Sequence, residues 1–184
     1  MPIILITGCM KSGKSKFLIK KYYQYMIKQE KILMAFQPSK NTRYGGFIKS
    51  KGTNKVVGAV VVDKATDMLK YDKVDIFFID ELQFFDPEEL NETLEELSQK
   101  GKTVYIAGLD FDYRGKFFKS YEKIYNKSYI TKRVNLEAKC SVPNCECKGV
   151  MTMLERLGKA ENDIENEINV YKPVCMHHFI NGID

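Results

Sequence analysis

No stretch of this sequence approaches the ~18 consecutive apolar residues that a membrane span needs, and it has no tryptophan, no internal repeat and no low-complexity linker. The missing apolar run excludes a helical anchor, so no membrane partner is expected. What remains, 44% hydrophobic and 29% charged residues, is the profile of an ordinary globular protein. The opening apolar run, Pro2 to Ile6, is too short for a secretory core and has no basic residues before it, so a cytoplasmic location is expected. A formal charge of +5 is compatible with anionic nucleotides but weak as a sign of nucleic-acid binding. There is no arginine–aromatic stripe either, so no nucleic-acid partner is expected. Five cysteines do not make a complete disulfide framework. Four of them, Cys140, Cys145, Cys147 and Cys175, crowd into the last quarter of the chain, which in a cytosolic protein points to metal binding.

The 184 residues suffice for one good core, or for one core and a small module. Ile3 to Ile6, Ile32 to Ala35, Lys55 to Val62, Val74 to Ile79 and Thr103 to Ala107 read as strands, most of them apolar runs of the kind buried on both faces. Between them, Ser15 to Gln29 and Glu88 to Lys100 carry helical periodicity, the second opened by Pro87 and rich in acid in its first turns. Gln37 to Lys55 is polar, glycine-containing and aperiodic, hence a loop. This alternation predicts an α/β fold with a mostly parallel sheet flanked by helices over residues 1–137. Residues 138–184 change character and are expected to form a small metal-stapled module without long periodic segments.

Gly8-Cys9-Met10-Lys11-Ser12-Gly13-Lys14-Ser15 satisfies G-x-x-x-x-G-K-[ST] and lies between a strand and a helix. The glycines let the backbone curl so that successive N–H groups face one concavity, a nest for phosphate backed by a helix N-terminus. Lys14 is expected to reach the β- and γ-phosphates of ATP and Ser15 to ligate magnesium. The second signal is Ile76-Phe77-Phe78-Ile79-Asp80-Glu81. A carboxylate at the tip of a buried strand, Asp80, suits magnesium, and Glu81 is free to act as a base toward a hydroxyl. Phe77 and Phe78 are read as core.

Cys140-x4-Cys145 and Cys175-x2-His178 form two pairs about thirty residues apart, an arrangement that suits tetrahedral zinc. Spacing leaves Cys145 and Cys147 both open for the second position. Cys140, Cys145, Cys175 and His178 are the expected set, with His177 outside it because x2 fits a knuckle turn better.

Nearly the whole chain resembles the type II thymidine kinases, a zinc-containing and usually tetrameric family. The likeness rests on G-C-M-K-S-G-K-S at 8–15, N-T-R-Y at 41–44, I-D-E-L-Q-F-F at 79–85, G-L-D-F-D-Y-R-G-K-F-F at 108–118 and Y-K-P-V-C-M-H-H at 171–178. It implies a P-loop NTPase-like domain and a lasso-type loop, about Leu154 to Tyr171, that closes over the base. It implies Glu81 as the general base for the sugar 5′-hydroxyl and Arg43 as a contact to the transferring phosphoryl group. ATP would be held by residues 8–15 (Gly8, Cys9, Met10, Lys11, Ser12, Gly13, Lys14, Ser15) with Asp80 and Gln83. Met10, Phe84, Leu109, Tyr113, Phe118 and Tyr171 match positions lining the nucleoside pocket. The chain departs from the family pattern at Asn41, usually aspartate, at Lys51, at Leu154 and at Asn166-Glu167, and in the wide spacing after Cys140.

The expectation is transfer of the ATP γ-phosphoryl group to the 5′-hydroxyl of thymidine, or of deoxyuridine, by a homotetramer with magnesium and structural zinc. A different class, a P-loop ATPase acting as a nucleotide switch or sensor, shares every phosphate-loop residue. Glu81 discriminates them, since a kinase needs a base beside an acceptor pocket. A zinc-ribbon nucleic-acid-binding ATPase is disfavoured by the missing arginine–aromatic stripe.

Overall fold

The structure, a computed structural model, describes residues 2–41, 45–157 and 168–182. Its centre is a sheet of six strands: β1 (Ile3–Thr7), β2 (Leu33–Pro38), β5 (Val60–Val62), β6 (Ile76–Ile79), β7 (Thr103–Ala107) and β8 (Ile130–Asn135). They lie in the order β5-β2-β6-β7-β1-β8, and every pairing is parallel. The apolar runs are unbroken because both faces are covered. Ile3 and Leu5 of β1, Phe77 and Ile79 of β6, and Val104 and Ile106 of β7 enter one core cluster. Their neighbours Ile4, Ile6, Ile76, Phe78, Tyr105 and Ala107 enter the other.

Helices close both faces. α1 (Lys14–Met26) lays Leu18 and Ile19 on the second cluster. α2 (Pro87–Gln99) lays Leu90, Leu94 and Leu97 on the first, an i, i+4, i+7 stripe, beside Tyr121 and Ile124 of α3 (Lys119–Tyr125). The start of α2 is fixed by its cap: the Asp86 carboxylate accepts the N–H groups of Glu88 at 3.0 Å and Glu89 at 3.1 Å, and Pro87 needs no partner there. Phe78 is fully buried, stacked on Tyr105 with ring centroids 5.2 Å apart. Phe77 is buried as well.

Three segments differ from the sequence reading. Lys55 to Val62 is not one strand. β4 (Val57–Gly58) pairs antiparallel with β3 (Phe47–Ile48), inside the segment read as loop, and β5 forms the edge of the main sheet beside β2. Gly58-Ala59 interrupts the β-branched run, and the chain changes sheets there. α3 and β8 were not expected. β8 is an edge strand whose exposed Lys132 and Arg133 hide its apolar signal. Beyond Ala138, two seven-residue strands, β11 (Met151–Leu157) and β12 (Ile168–Val174), pair antiparallel from Met151 opposite Val174 to Leu157 opposite Ile168. β9 (Ala138–Lys139), β10 (Lys148–Gly149) and α4 (Met176–Asn181) complete that part.

Candidate active site

The carboxyl ends of β1, β6 and β7 lie side by side, where open parallel sheets bind ligands. The loop after β1 turns on two glycines for different reasons. Gly8 has φ 133°, and a Cβ there would fall 2.0 Å from the Leu136 carbonyl oxygen. Gly13, φ 94°, has open space around it but needs the left-handed backbone that delivers the chain into α1. Lys14, 9% exposed, folds its ammonium over the loop, donating to the carbonyls of Gly8 at 2.8 Å and Cys9 at 2.7 Å. Burial holds Lys14 below the ordinary lysine range, opposed by the negative charges of Glu81, Asp80 and Asp110.

The first turn of α1 is joined to the residue just past β6. The Ser15 hydroxyl donates to the Asp80 carboxylate at 2.9 Å, and the Glu81 N–H donates to its other oxygen at 3.1 Å. Asp80 is only 3% exposed. Burial, and then the Glu81 carboxylate beside it, push its carboxyl well above the usual range. A half-buried hydroxyl and a buried carboxylate beside a phosphate nest form an oxygen donor set that fits a hard cation such as magnesium.

Glu81 has φ 59°, a left-handed conformation that non-glycine residues rarely adopt and that clusters at functional sites. Its carboxylate accepts from Gln83 Nε2 at 2.5 Å, and Gln83 Oε1 accepts the Leu109 N–H at 3.0 Å. Asp110, which sequence reasoning missed, is a second buried acid in this neighbourhood, beside Asp80. It accepts the Phe111 N–H at 3.0 Å, and burial raises its carboxyl. Its position just past the tip of β7, as Asp80 stands just past the tip of β6, was the available signal.

The six residues expected around a nucleoside occupy different surroundings. Met10 and Leu109 are half-buried beside the strand tips, and Phe84 is exposed on the turn after Glu81. Tyr113 and Tyr171, far apart in sequence, come together with ring centroids 6.3 Å apart. Phe118 precedes α3 and packs against the first core cluster. Arg43 and residues 158–167, including the Asn166-Glu167 pair and the tip of the lasso-type loop, lie outside the described residues.

The C-terminal part grips the phosphate loop. The Cys9 thiol donates to the Gly149 carbonyl at 3.1 Å, and the Met10 N–H donates to the Thr152 hydroxyl at 3.0 Å. Burial pushes the Cys9 thiol up, with Lys14 opposing. Neither Gly149 nor Thr152 carries a motif signal.

Cys140, Cys145, Cys175 and His178 converge, with one donor atom from each, all within 4.8 Å of one another. His178 Nδ1 lies 3.2 Å from the Cys175 sulfur and 3.5 Å from the Cys140 sulfur. Cys147 is exposed, and its backbone carbonyl accepts the Cys140 N–H at 3.0 Å. Its contribution is to close the loop that carries the other two thiols. Burial alone would raise the Cys140 thiol. The Val142 and Cys175 N–H groups and the His178 ring outweigh it and bring the thiol down to about 6, toward the thiolate that metals bind. Three thiols and an imidazole are a soft donor set compatible with tetrahedral zinc, whose Zn–S bonds of ~2.3 Å fit such spacing.

The parallel sheet, the phosphate loop and the acids at the strand tips define a P-loop α/β protein. Within that class the chain belongs to the thymidine kinase family: the family model described as "Thymidine kinase" matches residues 1–179. It is similar to a protein named thymidine kinase from Mesoplasma florum, 32% identical over 127 residues, which cover 65% of this chain and 62% of that one. The match thus spans less than two thirds of the relative's length. Among solved structures it is similar to the Pif1 helicase from Candida albicans, with a TM-score of 0.44 and 16% identity over 73% of this chain and 36% of that one. Among the described residues, no helix is long and apolar enough to cross a membrane.

Proposed function

We propose that this protein is a thymidine kinase that transfers the γ-phosphoryl group of ATP to the 5′-hydroxyl of thymidine, or of deoxyuridine, giving the 5′-monophosphate and ADP. The observation that carries this reading is Glu81, a left-handed residue held at a strand tip beside Asp80 and the Lys14–Ser15 end of the phosphate loop.

In this reading Glu81 takes the proton of the 5′-hydroxyl as its oxygen bonds to the γ-phosphorus in line with the departing ADP oxygen. Lys14 offers its ammonium to the β- and γ-phosphates, exchanging the Gly8 and Cys9 carbonyls for phosphate oxygens. Arg43 meets charge that is largest in the transition state. Ser15 and Asp80 would hold magnesium, which neutralises phosphate charge when bound. Residues 8–15 hold ATP, with Asp80 and Gln83 near its phosphates. Met10, Phe84, Leu109, Tyr113, Phe118 and Tyr171 line the nucleoside pocket under the loop spanning 154–171.

Residues 1–137 make the nucleotide domain. Residues 138–184 make the module that Cys140, Cys145, Cys175 and His178 staple around zinc, an ion that supplies folding free energy there. The enzyme works in the cytoplasm as a homotetramer. The test is ADP release by the purified protein with magnesium and ATP across all natural nucleosides. Turnover confined to thymidine and deoxyuridine supports the proposal. Slow hydrolysis at one rate whatever the nucleoside overturns it in favour of a nucleotide switch.

A further inference from the structure

We infer that Gln83 is a positioning residue, which aims the Glu81 carboxylate and couples it to the segment after β7 through the Leu109 N–H. The inference rests on the reading of Glu81 as the base and deepens it. It gives Gln83 a task besides the ATP contact expected from family resemblance.

The hydrogen-bond chemistry fixes which way the amide faces. Leu109 N–H can only donate, so its partner at 3.0 Å is the amide oxygen, Gln83 Oε1. The NH2 group then faces Glu81 and donates to Oε2 at 2.5 Å, a bond to a carboxylate and therefore among the strong ones. Both heavy atoms of the amide are engaged. Of the two Glu81 oxygens, Oε2 is committed and Oε1 remains for a hydroxyl proton.

Two backbone features serve the same arrangement. Glu81 stands at φ 59°, so its side chain leaves the strand tip in a direction that an extended or helical residue would not give it. Gly108 lets β7 approach the turn that carries Gln83. A Cβ there would lie 2.4 Å from Leu82 Cγ, 2.6 Å from Gln83 Oε1 and 2.8 Å from the Leu82 nitrogen. Any side chain at 108 would push Leu109 away from the amide. The pair therefore depends on a glycine 25 residues away in sequence, and Leu109 is itself a candidate wall of the nucleoside pocket. A nucleoside seated against Leu109 would meet a base already aimed.

The length of the side chain matters. Asparagine, one methylene shorter, cannot span both partners. Leucine fills similar space and makes neither bond, leaving the Leu109 N–H without its acceptor.

The experiment compares wild type with Gln83→Leu, Gln83→Asn and Gly108→Ala, measuring kcat and both KM values together with hydrogen exchange at the Leu109 amide. In Gln83→Leu and Gly108→Ala a misaimed base lowers kcat by about 10- to 100-fold. In Gln83→Leu KM for nucleoside stays within about threefold, and any rise in KM for ATP reports the separate phosphate contact. Leu109 exchange should quicken by about tenfold or more in Gln83→Leu, while amides in β1 and β6 keep their protection. A raised KM for ATP with kcat unchanged would overturn the inference and leave Gln83 as a phosphate contact only. Unchanged Leu109 exchange in Gln83→Leu would overturn the bond itself. Absence of nucleoside-dependent turnover in the wild type would sink the kinase reading instead. The exchange measurement reads the Gln83–Leu109 link whatever that result.

Discussion

Around the phosphate loop, position is set by backbone: three adjacent strands of a sheet buried on both faces end together, and glycines shape the turns beyond their tips. In the C-terminal module it is set by side chains. The buried residues of its cluster are Cys140, Met151, Val174 and Cys175, two of them candidate metal ligands, where the main sheet has two large apolar clusters. The first region can hold its geometry before any ligand arrives. The second has a smaller buried apolar cluster, and in the proposed reading it draws its order from a metal held by three thiols and an imidazole. The regions meet at Gly149–Thr152, where the module's strands reach Cys9 and Met10.

The largest expected effect lies in the module. Cys175→Ser, or treatment with a strong chelator, should release zinc and disorder β11 and β12, since structural zinc contributes ~10–16 kcal/mol in zinc-finger peptides. Cys147→Ser should retain the metal, because that thiol is exposed and outside the donor cluster. Zinc content per chain by mass spectrometry, read beside near-ultraviolet circular dichroism, separates the two. Equal loss from both variants would place Cys147 among the ligands.

Next is Gly8→Ala, which attacks the backbone-built region. Its Cβ would collide with the Leu136 carbonyl in a conformation that alanine rarely adopts. It should cost about 1–3 kcal/mol of stability and weaken ATP binding by at least about tenfold, checked by thermal unfolding and calorimetry.

The smallest expected effect lies at the junction. Thr152→Val leaves the part-buried Met10 N–H without its acceptor, costing about 0.5–1.5 kcal/mol, and Thr152→Ser should restore most of that stability. If Thr152→Val unfolds like wild type, the two regions are less tightly joined than their hydrogen bonds suggest.

The backbone-built region was the more legible in sequence. Strands buried on both faces are continuous apolar runs, and Gly8, Gly13, Lys14 and Ser15 carry their chemistry in their spacing. Edge strand β8 was hidden by its solvent-facing charges. Asp110 was hidden because its role depends on which strand tips are neighbours, and sequence spacing does not give that order. In the module, spacing kept both Cys145 and Cys147 in play. The fold separates them by turning one thiol inward and leaving only the backbone of the other in the loop. The 151–157 and 168–174 strands were missed because their register comes from each other, and among the described residues it is the end at Met151 and Val174 that enters a buried apolar cluster, too short a stretch to show a period. The bonds of Gln83, Gly149 and Thr152 depend on contacts made only in three dimensions.

Single-turnover phosphoryl transfer from ATP to thymidine by Glu81→Gln, beside equilibrium binding of both substrates, decides whether Glu81 is the base. The rate should fall by at least about a hundredfold with both affinities within about threefold of wild type. Transfer at the wild-type rate would contradict that assignment and remove Glu81 from the role of base.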